Sequence, residues 1–434
     1  MRFLGVGETC DLGSLYLRLV ESGHEVKIFV SEPEAQGTLA GLVQRVEDWR
    51  AELEWIRAAG ESGIILFESV SAGLGELQDS LRRDGLRVVG GSAYGDMLEN
   101  DRAYAQTVLG ELGFPASHVW EFDNSAAADR FIADNPRRYV LKFSGPDFAS
   151  HDNYIGQLPS GQDVRAVLAG RLAGRGHSPA TFVLMEFING IEMGVGAYFN
   201  GEQFLTPACL DWEHKRFFAG DLGELTGEMG TVATYEGTRS FFEKTLGLME
   251  DRFRAHGHVG YVNLNTIVNE QGIWPLEFTC RFGYPGFAIL DPLQETSWAD
   301  LFRAMVTGAG SEFLVRPGFS VGIVVTTPPF PYTRKEIAEP VGLPVLFQEP
   351  FTDDDRRNVH YGEVGLEEGR LVTSGLYGWT MVVTGTGATV AQARDTAYCR
   401  VARVFAPNLR YRLDIGNRLA EGDLTVLQRW GHLG

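Results

Sequence analysis

The sequence predicts an α/β protein with a doubly wound parallel sheet in its N-terminal domain and a mostly β C-terminal domain. Three observations lead to this prediction. The first 95 residues alternate apolar strands with helical segments, a βαβ rhythm that favours a parallel sheet. The middle of the chain contains a β-meander with Asn-Gly turns at 189–190 and 200–201. Residues 316–420 are mostly short strands with a helix near 389–404, and 434 residues are too many for one small core.

Four apolar runs predict the N-terminal sheet. RFLGVG and HEVKIFV are separated by the helical segment SLYLRLVESG, and GIILFES and LRVVGGS supply two further strands. The first turn, GVGETCDLGS, is only weakly similar to a phosphate-binding turn, because it lacks the GxGxxG pattern. Its acids, Glu8 and Asp11, would repel a phosphate. We therefore interpret it as a tight turn from strand to helix.

The elements of the middle region follow in chain order. We predict a helix from about Asn100 to Leu112, stopped by Gly113 and Pro115, and then the strand RYVLKFSG. Further predictions are a helix over 162–174, a helix around 238–256 and a hairpin turned at Glu270–Gly272.

The net charge of the chain limits the classes of partner that it is expected to bind. It has 38 basic and 57 acidic residues, a net charge of −19, which repels nucleic acid and anionic membranes. No run of about 18 uncharged apolar residues is present, and the N-terminus is typical of a strand rather than of a signal peptide. The cysteines at positions 10, 209, 280 and 399 are far apart, which indicates reduced thiols. We expect a cytoplasmic monomer or homodimer with small-molecule substrates.

Two stretches predict contacts to a nucleotide. Lys142, one of five lysines, lies in the apolar strand YVLKFSG and must reach either water or an anion. In LMEFINGIEMG, backbone groups of Glu186, Phe187 and Ile188 could bind the edge of an adenine, and Glu192 could accept ribose hydroxyls. The alternatives are an edge-strand lysine that extends to solvent and a plain hairpin with exposed acids.

Residues 211–230, DWEHKRFFAGDLGELTGEMG, mix charges with glycines to an unusual degree. Functional residues concentrate in loops of this kind, so Asp211 and Lys215 are candidate catalytic residues. The alternative is a solvated charged loop.

The stretch PLEFTCRFGYPG carries two charges, Glu277 and Arg281, at the end of a strand. Strand alternation places both on one face together with Thr279, and Asn265 on the preceding strand could lie near them. Oxygen ligands from Glu, Thr and Asn suit Mg²⁺, which also binds phosphate oxygens. Arg281 could hold a phosphate or a carboxylate. The alternative is an internal Glu–Arg ion pair.

Together these motifs resemble those of ATP-grasp ligases and, more narrowly, of the glycinamide ribonucleotide synthetase family, in the same order along nearly the whole chain. The family's lysine strand is similar to VLKFSG, and its hinge Glu-Glu-Phe-Leu-Asp-Gly-Glu-Glu to MEFINGIE. Its Asp-His-Lys-Arg and Asp-Thr-Gly-Pro-Asn-Thr-Gly-Gly-Met-Gly are similar to DWEHKR and DLGELTGEMG. Its Glu-Phe-Asn-Cys-Arg-Phe-Gly-Asp-Pro-Glu is similar to EFTCRFGYPG, and its Arg-x-Asp-Ile-Gly to residues 412–416.

The resemblance implies an ATP-grasp fold with an N-terminal Rossmann-like domain, an ATP-grasp domain with a lid, and a C-terminal α+β domain. The corresponding ranges are 1–98, 99–315 with a lid of about 117–190, and 316–434. The implied cofactors are ATP and Mg²⁺, with Lys142 and Arg102 on ATP phosphates and Glu277 on the metal, assisted by Thr279 or Asn265. Arg281, Lys215 and Asp211 are the implied catalytic residues. Ligases of this type phosphorylate a carboxylate with ATP, and an amine then displaces the phosphate.

Several positions depart from the family's motifs. The first loop carries acids in place of an arginine and a histidine, and the phosphate flap FSGPDFASHDNYIG lacks a second lysine. Arg102 replaces a lysine, Thr279 replaces the metal-binding asparagine, and Tyr284-Pro285-Gly286 replaces Asp-Pro-Glu. We therefore predict a carboxylate–amine ligase that uses a different amine, a different acid or both. The alternatives are an authentic phosphoribosylamine–glycine ligase of purine synthesis and a nucleotide-binding relative that has lost catalysis.

Overall fold

A computed structural model describes residues 1–9, 11–69, 73–144, 153–172, 181–331 and 341–433. The chain forms two compact units. The first comprises Met1–Val108, Glu192–Thr266 and Leu276–Gly434, and the second comprises Leu109–Ile191 and Ile267–Pro275. The three-domain division expected from the sequence remains a prediction.

The N-terminal part of the first unit is a parallel sheet with helices on both faces. Its strands are β1 (Arg2–Gly7), β2 (Glu25–Val30), β3 (Gln44–Arg45), β4 (Gly63–Phe67) and β5 (Val88–Val89), in the order β3-β2-β1-β4-β5. Its helices are α1 (Gly13–Glu21), α2 (Leu53–Ala58), α3 (Leu74–Arg83) and α4 (Ala93–Asn100). Phe3 and Leu4, neighbours on β1, are buried in different apolar clusters, one on each face of the sheet. The predicted doubly wound sheet is confirmed.

The second unit is a small antiparallel sheet with two described helices against it. Helix α5 (Arg102–Glu111) precedes it, followed by β6 (Val119–Phe122), α6 (Ser125–Asp134), β7 (Tyr139–Ser144), β8 (Tyr154–Ile155), α7 (Gln162–Leu172) and β9 (Thr181–Glu186). The strand order is β6-β9-β7-β8. Ile132, Tyr139 and Leu184 are among the residues of its buried core. Helix α5 starts at Arg102 instead of Asn100, because Asp101 has an extended backbone and separates it from α4.

A larger sheet occupies the rest of the chain. Its strands are β10 (Ile191–Asn200), β11 (Phe204–Glu213), β14 (Gly230–Thr234), β15 (Val259–Asn269), β16 (Gly272–Thr279), β17 (Phe319–Thr326), β19 (Val359–Tyr361) and β22 (Trp379–Gly387). The order is β16-β15-β10-β11-β14-β17-β22-β19. Since β17 pairs antiparallel with β14, strands after residue 316 extend the sheet that carries the middle of the chain.

Short strands and helices surround this sheet. The strands are β12 (Arg216–Phe218), β13 (Leu222–Leu225), β18 (Leu346–Phe347), β20 (Val364–Glu367), β21 (Arg370–Thr373) and β23 (Val404–Phe405). The helices are α8 (Arg239–Lys244), α9 (Glu250–Ala255), α10 (Gly286–Leu290), α11 (Trp298–Thr307), α12 (Asp353–Arg357), α13 (Val390–Val401) and α14 (Leu424–Arg429). None of the helices in the described ranges is long and apolar enough to cross a bilayer.

Two local predictions were wrong in detail. The single helix expected around 238–256 is broken into α8 and α9, because Thr245 adopts φ −130° and ψ −103°, outside the helical region. The glycine-rich stretch after Glu213 is a short hairpin, β12–β13, instead of a bare loop. The hairpin turn at 270–272 is confirmed by the bounds of β15 and β16.

Candidate active site

Lys215 lies among three carboxylates in the first unit. Its Nζ is 3.1 Å from Glu192 Oε1, 3.1 Å from Glu213 Oε2 and 3.6 Å from Glu277 Oε1. These acids come from different strands: Glu192 from β10, Glu213 from the end of β11 and Glu277 from β16. We call Lys215 and these three acids the lysine cluster. The sheet therefore gathers Lys215, Glu192 and Glu277, which the sequence singled out separately.

The lysine cluster is held together by charge. Burial alone would lower the pKa of Lys215, but the carboxylates of Glu213, Glu192 and Glu277 outweigh it and raise that pKa above its usual range. Burial raises the pKa of Glu213, and the repulsion of Glu192 and Glu277 adds to this effect while Lys215 opposes it. Lys215 therefore stays protonated and compensates acids that would otherwise repel one another.

The proposed metal ligands differ in how accessible their oxygen atoms are to a metal ion. The Glu277 side chain is 55% exposed, and Thr279 is on the same face of β16, since Phe278 between them is buried. The Asn265 amide is already engaged, because its Nδ2 donates to Glu192 Oε1 at 2.9 Å and its Oδ1 accepts from the Thr266 N–H at 3.0 Å.

These oxygens fit a magnesium ion shared with phosphates better than a closed protein cage. The described residues contain no group of three or more His, Cys, Asp or Glu side chains arranged to hold a metal. Mg²⁺ commonly keeps several waters and takes one or two carboxylates together with phosphate oxygens. Glu277 suits that role, Thr279 is placed to assist, and Asn265 is the least suited of the three.

Arg281 lies beyond the end of the strand whose alternation was expected to place it, and the role predicted for it stays a prediction. Strand β16 ends at Thr279, so strand alternation does not extend to Arg281. Its Nε instead donates to Glu99 Oε1 at 2.9 Å, and the other oxygen of Glu99 accepts the Cys280 N–H at 2.8 Å. The internal ion pair considered as an alternative does exist, but its acid is Glu99 rather than Glu277. Glu99 is 182 positions away in the sequence, and no local pattern indicated it.

Asp211 faces a small cavity beside the lysine cluster. The cavity measures about 60 Å³, and its lining includes Asp211, Glu213, Glu228, Asn263, Thr279 and Tyr284. Asn263 Nδ2 donates to Asp211 Oδ2 at 2.6 Å, whereas Asp211 Oδ1 has no hydrogen-bond partner among the described residues. Burial, and then the nearby Glu213 carboxylate, raise the pKa of Asp211 to about 7.

Sequence reasoning missed Glu228, which is 6% exposed and lines the same cavity. Its Oε1 accepts a hydrogen bond from Thr231 Oγ1. Burial, and then Glu213 and Asp211, raise the pKa of Glu228 well above its usual range. One signal was available: the family's Gly-Gly-Met-Gly is Gly227-Glu228-Met229-Gly230 here.

The second unit carries the remaining nucleotide-binding candidates. Lys142 is half-buried in β7, opposite Val183 of β9. At the end of β9 the Glu186 N–H donates to the His118 carbonyl at 2.9 Å, and the Phe187 N–H donates to the Arg138 carbonyl at 3.3 Å. Two of the backbone donors expected to meet adenine therefore already have partners within this unit.

The side chains near this hinge are engaged as well. The Arg138 guanidinium lies 3.5 Å from the centre of the Phe187 ring, and Glu186 accepts from His118 and Arg137, both at 3.2 Å. Arg102, in the first unit, is exposed at the start of α5. Most of the flap expected to close over phosphates, including Ser150 and His151, lies outside the described residues, as does Cys10. The nucleotide roles predicted for these positions, including Ile188, remain predictions.

Comparison with known proteins agrees with this geometry. Residues 100–287 match the ATP-grasp (A) domain of phosphoribosylglycinamide synthetase. A phosphoribosylamine–glycine ligase from Neisseria meningitidis serogroup B is 25% identical over 437 residues, covering 96% of this chain and 99% of the relative. The Streptomyces coelicolor enzyme of the same name is 28% identical over 359 residues, covering 79% of this chain and 80% of the relative.

Solved structures show the same fold. A phosphoribosylamine–glycine ligase from Thermotoga maritima is 20% identical with a TM-score of 0.68, covering 96% of this chain and 100% of that one. The biotin carboxylase domain of the Hydrogenobacter thermophilus 2-oxoglutarate carboxylase, solved with MgADP, ADP and bicarbonate, has a TM-score of 0.62 at 11% identity. It covers 99% of this chain and 98% of that one. The chain is therefore an ATP-grasp enzyme that resembles glycinamide ribonucleotide synthetase.

Proposed function

We propose that this enzyme joins a carboxylic acid to an amine at the expense of ATP. The lysine cluster is the observation that carries the proposal, because it brings together a cation, an exposed carboxylate and Glu192 from one sheet. Glu277 lies on β16, Glu192 on β10 and Lys215 just after β11. The acid's carboxylate oxygen attacks the γ-phosphorus of ATP, and ADP leaves. The amine then attacks the carbonyl carbon of the acyl phosphate, phosphate leaves, and the nitrogen loses a proton to give the amide.

The protein's part in this chemistry is positioning and charge compensation. Lys142 holds phosphates of ATP, the hinge at Glu186–Ile188 meets the adenine, and Glu192 accepts the ribose hydroxyls. Glu277 would hold a magnesium ion, and the ion would supply positive charge next to the phosphates. Lys215 compensates the negative charge of the surrounding acids, including Glu277 at 3.6 Å.

The comparisons favour glycine and phosphoribosylamine as the substrates. Similarity to one phosphoribosylamine–glycine ligase covers 96% of the chain, so it includes the ATP-grasp domain and also the regions before and after it. The sequence indicated this pair only as an alternative, and it is the pair to be tested first.

A second candidate, an acceptor amine without a phosphate, is favoured by the acids at the first loop. The Asp11 N–H donates to Glu68 Oε2 at 2.8 Å, and Tyr16 Oη donates to Glu68 Oε1 at 2.7 Å. Burial, and then Asp11, raise the pKa of Glu68 to about 7. A phosphate in this loop would meet two carboxyl groups instead of the cation found in the family's motif.

The experiment is an ADP-release assay with MgATP, glycine and phosphoribosylamine. We expect release that needs both substrates and is lost in Glu277→Gln. Glu270→Gln, an exposed acid at the turn between β15 and β16, is the matched control and should keep wild-type activity. Release with glycine and phosphate-free amines, but not with phosphoribosylamine, would favour the second candidate. If no acid and amine give more release than Glu277→Gln, the ligase proposal is wrong.

A further inference from the structure

A second cavity lies within the first unit and shares no described lining residue with the lysine cluster or with the cavity at Asp211. It measures about 310 Å³, a volume typical of small-molecule sites. Its walls come from the end of α1, the start of α11 and the helices α12 and α13. We call it the arginine cavity, because its lining includes Arg18, Arg316, Arg357 and Arg400.

The topology places the arginine cavity at the edge of the parallel sheet that lies opposite the first loop. This loop, which carries Glu8 and Asp11, follows the carboxyl end of β1, and α1 returns from it to the amino end of β2. Ser22 and His24 line the cavity and lie between the end of α1 and the start of β2. A helix of 9 residues is about 14 Å long, so a ligand in the arginine cavity binds apart from the first loop.

Two arginines of this cavity keep donors for a ligand. Arg357 is exposed at the end of α12, and its guanidinium has no hydrogen bond or ion pair with a described residue, although its carbonyl accepts from Arg18 Nη2 at 2.7 Å. Arg316 Nε lies 3.7 Å from Glu295 Oε1, and the two side chains are 62% and 47% exposed. An ion pair this long and this exposed contributes little, so both guanidinium groups can bind an anion.

The acids of the arginine cavity are largely compensated already. One oxygen of Asp291 accepts from Trp298 Nε1 at 2.7 Å, and the other accepts from Arg18 Nη2 at 2.8 Å. Asp354 accepts from Arg400 Nη2 at 3.0 Å. The lining contains four arginines and three acids, a local excess of positive charge in a chain whose net charge is −19. This excess favours an anionic ligand.

Buried polar groups without partners lie along the same wall. Gln294 is 9% exposed, and neither its amide nitrogen nor its amide oxygen has a hydrogen-bond partner among the described residues. The N–H groups of Trp298 and Ala299, the first residues of the ten-residue helix α11, donate to no described acceptor. All three residues line the arginine cavity. Because buried polar groups are nearly always hydrogen-bonded and helix N-termini attract anions, these groups indicate a ligand with both acceptors and donors.

The remaining lining favours a ligand that carries hydroxyl groups. The side-chain hydroxyls of Ser22 and Thr396 each donate to the carbonyl four residues earlier, at 2.8 Å, and their oxygens can still accept a hydrogen bond. The one described aromatic side chain of the lining besides His24 is Trp298, which is 5% exposed and packs against Phe287 with ring centroids 4.6 Å apart. A polyol therefore suits this cavity better than a flat aromatic ligand.

We propose that the arginine cavity is a second ligand site, which binds a small polyol carrying a phosphate or a carboxylate. The anionic group binds Arg357, Arg316 and the N-terminus of α11, and the hydroxyl groups of the ligand bind the Gln294 amide and the serine and threonine hydroxyls. This site takes no part in the ligase reaction, and the inference does not rest on the proposed function.

The test is calorimetric titration of the full chain with four probes. Glucose 6-phosphate and gluconate combine an anionic group with hydroxyl groups, whereas glucose and inorganic phosphate each have one of these features alone. We expect glucose 6-phosphate or gluconate to bind at least about tenfold more tightly than both glucose and inorganic phosphate. The tighter of the two shows whether the site prefers a phosphate or a carboxylate.

Variants locate the bound probe. Arg357→Gln should weaken binding of the tighter probe by about tenfold or more, because it removes a charged donor. The matched control is Arg239→Gln, whose side chain is 89% exposed and does not line the cavity, and its Kd should equal that of wild type. Glu277→Gln should also leave the Kd unchanged; a loss of binding there would place the probe in the proposed nucleotide site and overturn the proposal.

Gln294→Leu distinguishes a binding role from a structural one. Without ligand this variant removes a buried amide that has no described partner, so its Tm should be no lower than that of wild type. Its affinity for the probe should fall by about tenfold or more. Unchanged affinity in both Gln294→Leu and Arg357→Gln overturns the proposal.

The remaining outcomes are equally decisive. The proposal is overturned if neither glucose 6-phosphate nor gluconate binds, or if inorganic phosphate binds as tightly as both. Arg357→Gln should keep the wild-type rate of ADP release in the absence of the probe, since Arg357 lies outside the lysine cluster. Failure of the ligase proposal and failure of this site are therefore observed in separate measurements.

Discussion

Replacing Lys215 by methionine tests the electrostatics of the active site most sharply. Coulomb's law with an effective dielectric constant of about 20 gives about 5 kcal/mol for charges 3.1 Å apart, the separation of Lys215 from Glu213. Solvent screens the other two pairs, since the Glu192 and Glu277 side chains are 43% and 55% exposed, and each contributes about 1 kcal/mol or less. Removing one partner of a largely buried pair typically costs about 3–5 kcal/mol, and the partial exposure of Glu213 places this site at the lower end.

We therefore expect Lys215→Met to lower the free energy of unfolding by about 3 kcal/mol at pH 7.5. The measurement is urea denaturation followed by tryptophan fluorescence. Lys244→Met, an exposed lysine at the end of α8, is the matched control and should change stability by less than about 0.5 kcal/mol.

The pH dependence of the free energy of unfolding gives a second test. Without Lys215, the folded-state pKa of Glu213 rises further above its unfolded value. A group with a raised folded pKa stabilises the protein at low pH and loses this effect as pH rises through that pKa. The difference in the free energy of unfolding between wild type and Lys215→Met should thus become smaller as pH falls from 7.5 to 5.5. Equal stability of the two lysine variants, or a gap that widens on acidification, would refute the reasoning.

Three further predictions follow from buried groups. In Gly194→Ala the new Cβ would collide with Asp211 Oδ1, so Asp211 must move. The ADP-release assay should show a rate lower than that of wild type by about tenfold or more, and an unchanged rate contradicts this. Arg412→Met removes a side chain that is 1% exposed and forms ion pairs with two aspartates. Urea denaturation should show that the free energy of unfolding falls by about 3 kcal/mol. The control is Arg239→Met at an exposed position, which should change it hardly at all. Burial lowers the pKa of His258 from 6.5 to about 3, so between these pH values the histidine is protonated in the unfolded chain but not in the folded one. This difference destabilises the wild-type protein as pH falls, and His258→Gln should therefore lose about 2 kcal/mol less stability than wild type between pH 7 and pH 5. An identical loss in both proteins contradicts this.

The parallel N-terminal sheet and the family resemblance were within reach of the sequence. The N-terminal βαβ rhythm is local, since each apolar run and each helix stop is decided by neighbouring residues, and a parallel doubly wound sheet follows from it. The short strand β3 and the strand order β3-β2-β1-β4-β5 were not predicted. Alternation along β16 likewise placed Glu277 and Thr279 on the face opposite buried Phe278. These successes depend on periods of two residues or on motifs of fewer than about ten residues.

The sequence did not predict contacts between segments that are far apart along the chain. The pairing of Arg281 with Glu99 depends on where α4 lies beside the strand end, which no local pattern encodes. The cavity lined by Asp211, Glu213 and Glu228 depends on the register of β11 against β14, where Glu213 lies opposite Thr231. A shift of one residue would turn the acids of β11 to the other face of the sheet. The substitution at Glu228 was visible in the family's motif, but its place in this cavity required the structure.

The most direct test of the ligase proposal follows an oxygen atom. The acid that supports ADP release, with glycine tried first, is supplied with ¹⁸O in both carboxylate oxygens, together with MgATP and the acceptor amine. If the enzyme works through an acyl phosphate, one labelled oxygen passes from each carboxylate into the released phosphate, which mass spectrometry detects as phosphate heavier by one ¹⁸O. Phosphate without label, released at the rate of amide formation, would contradict the account.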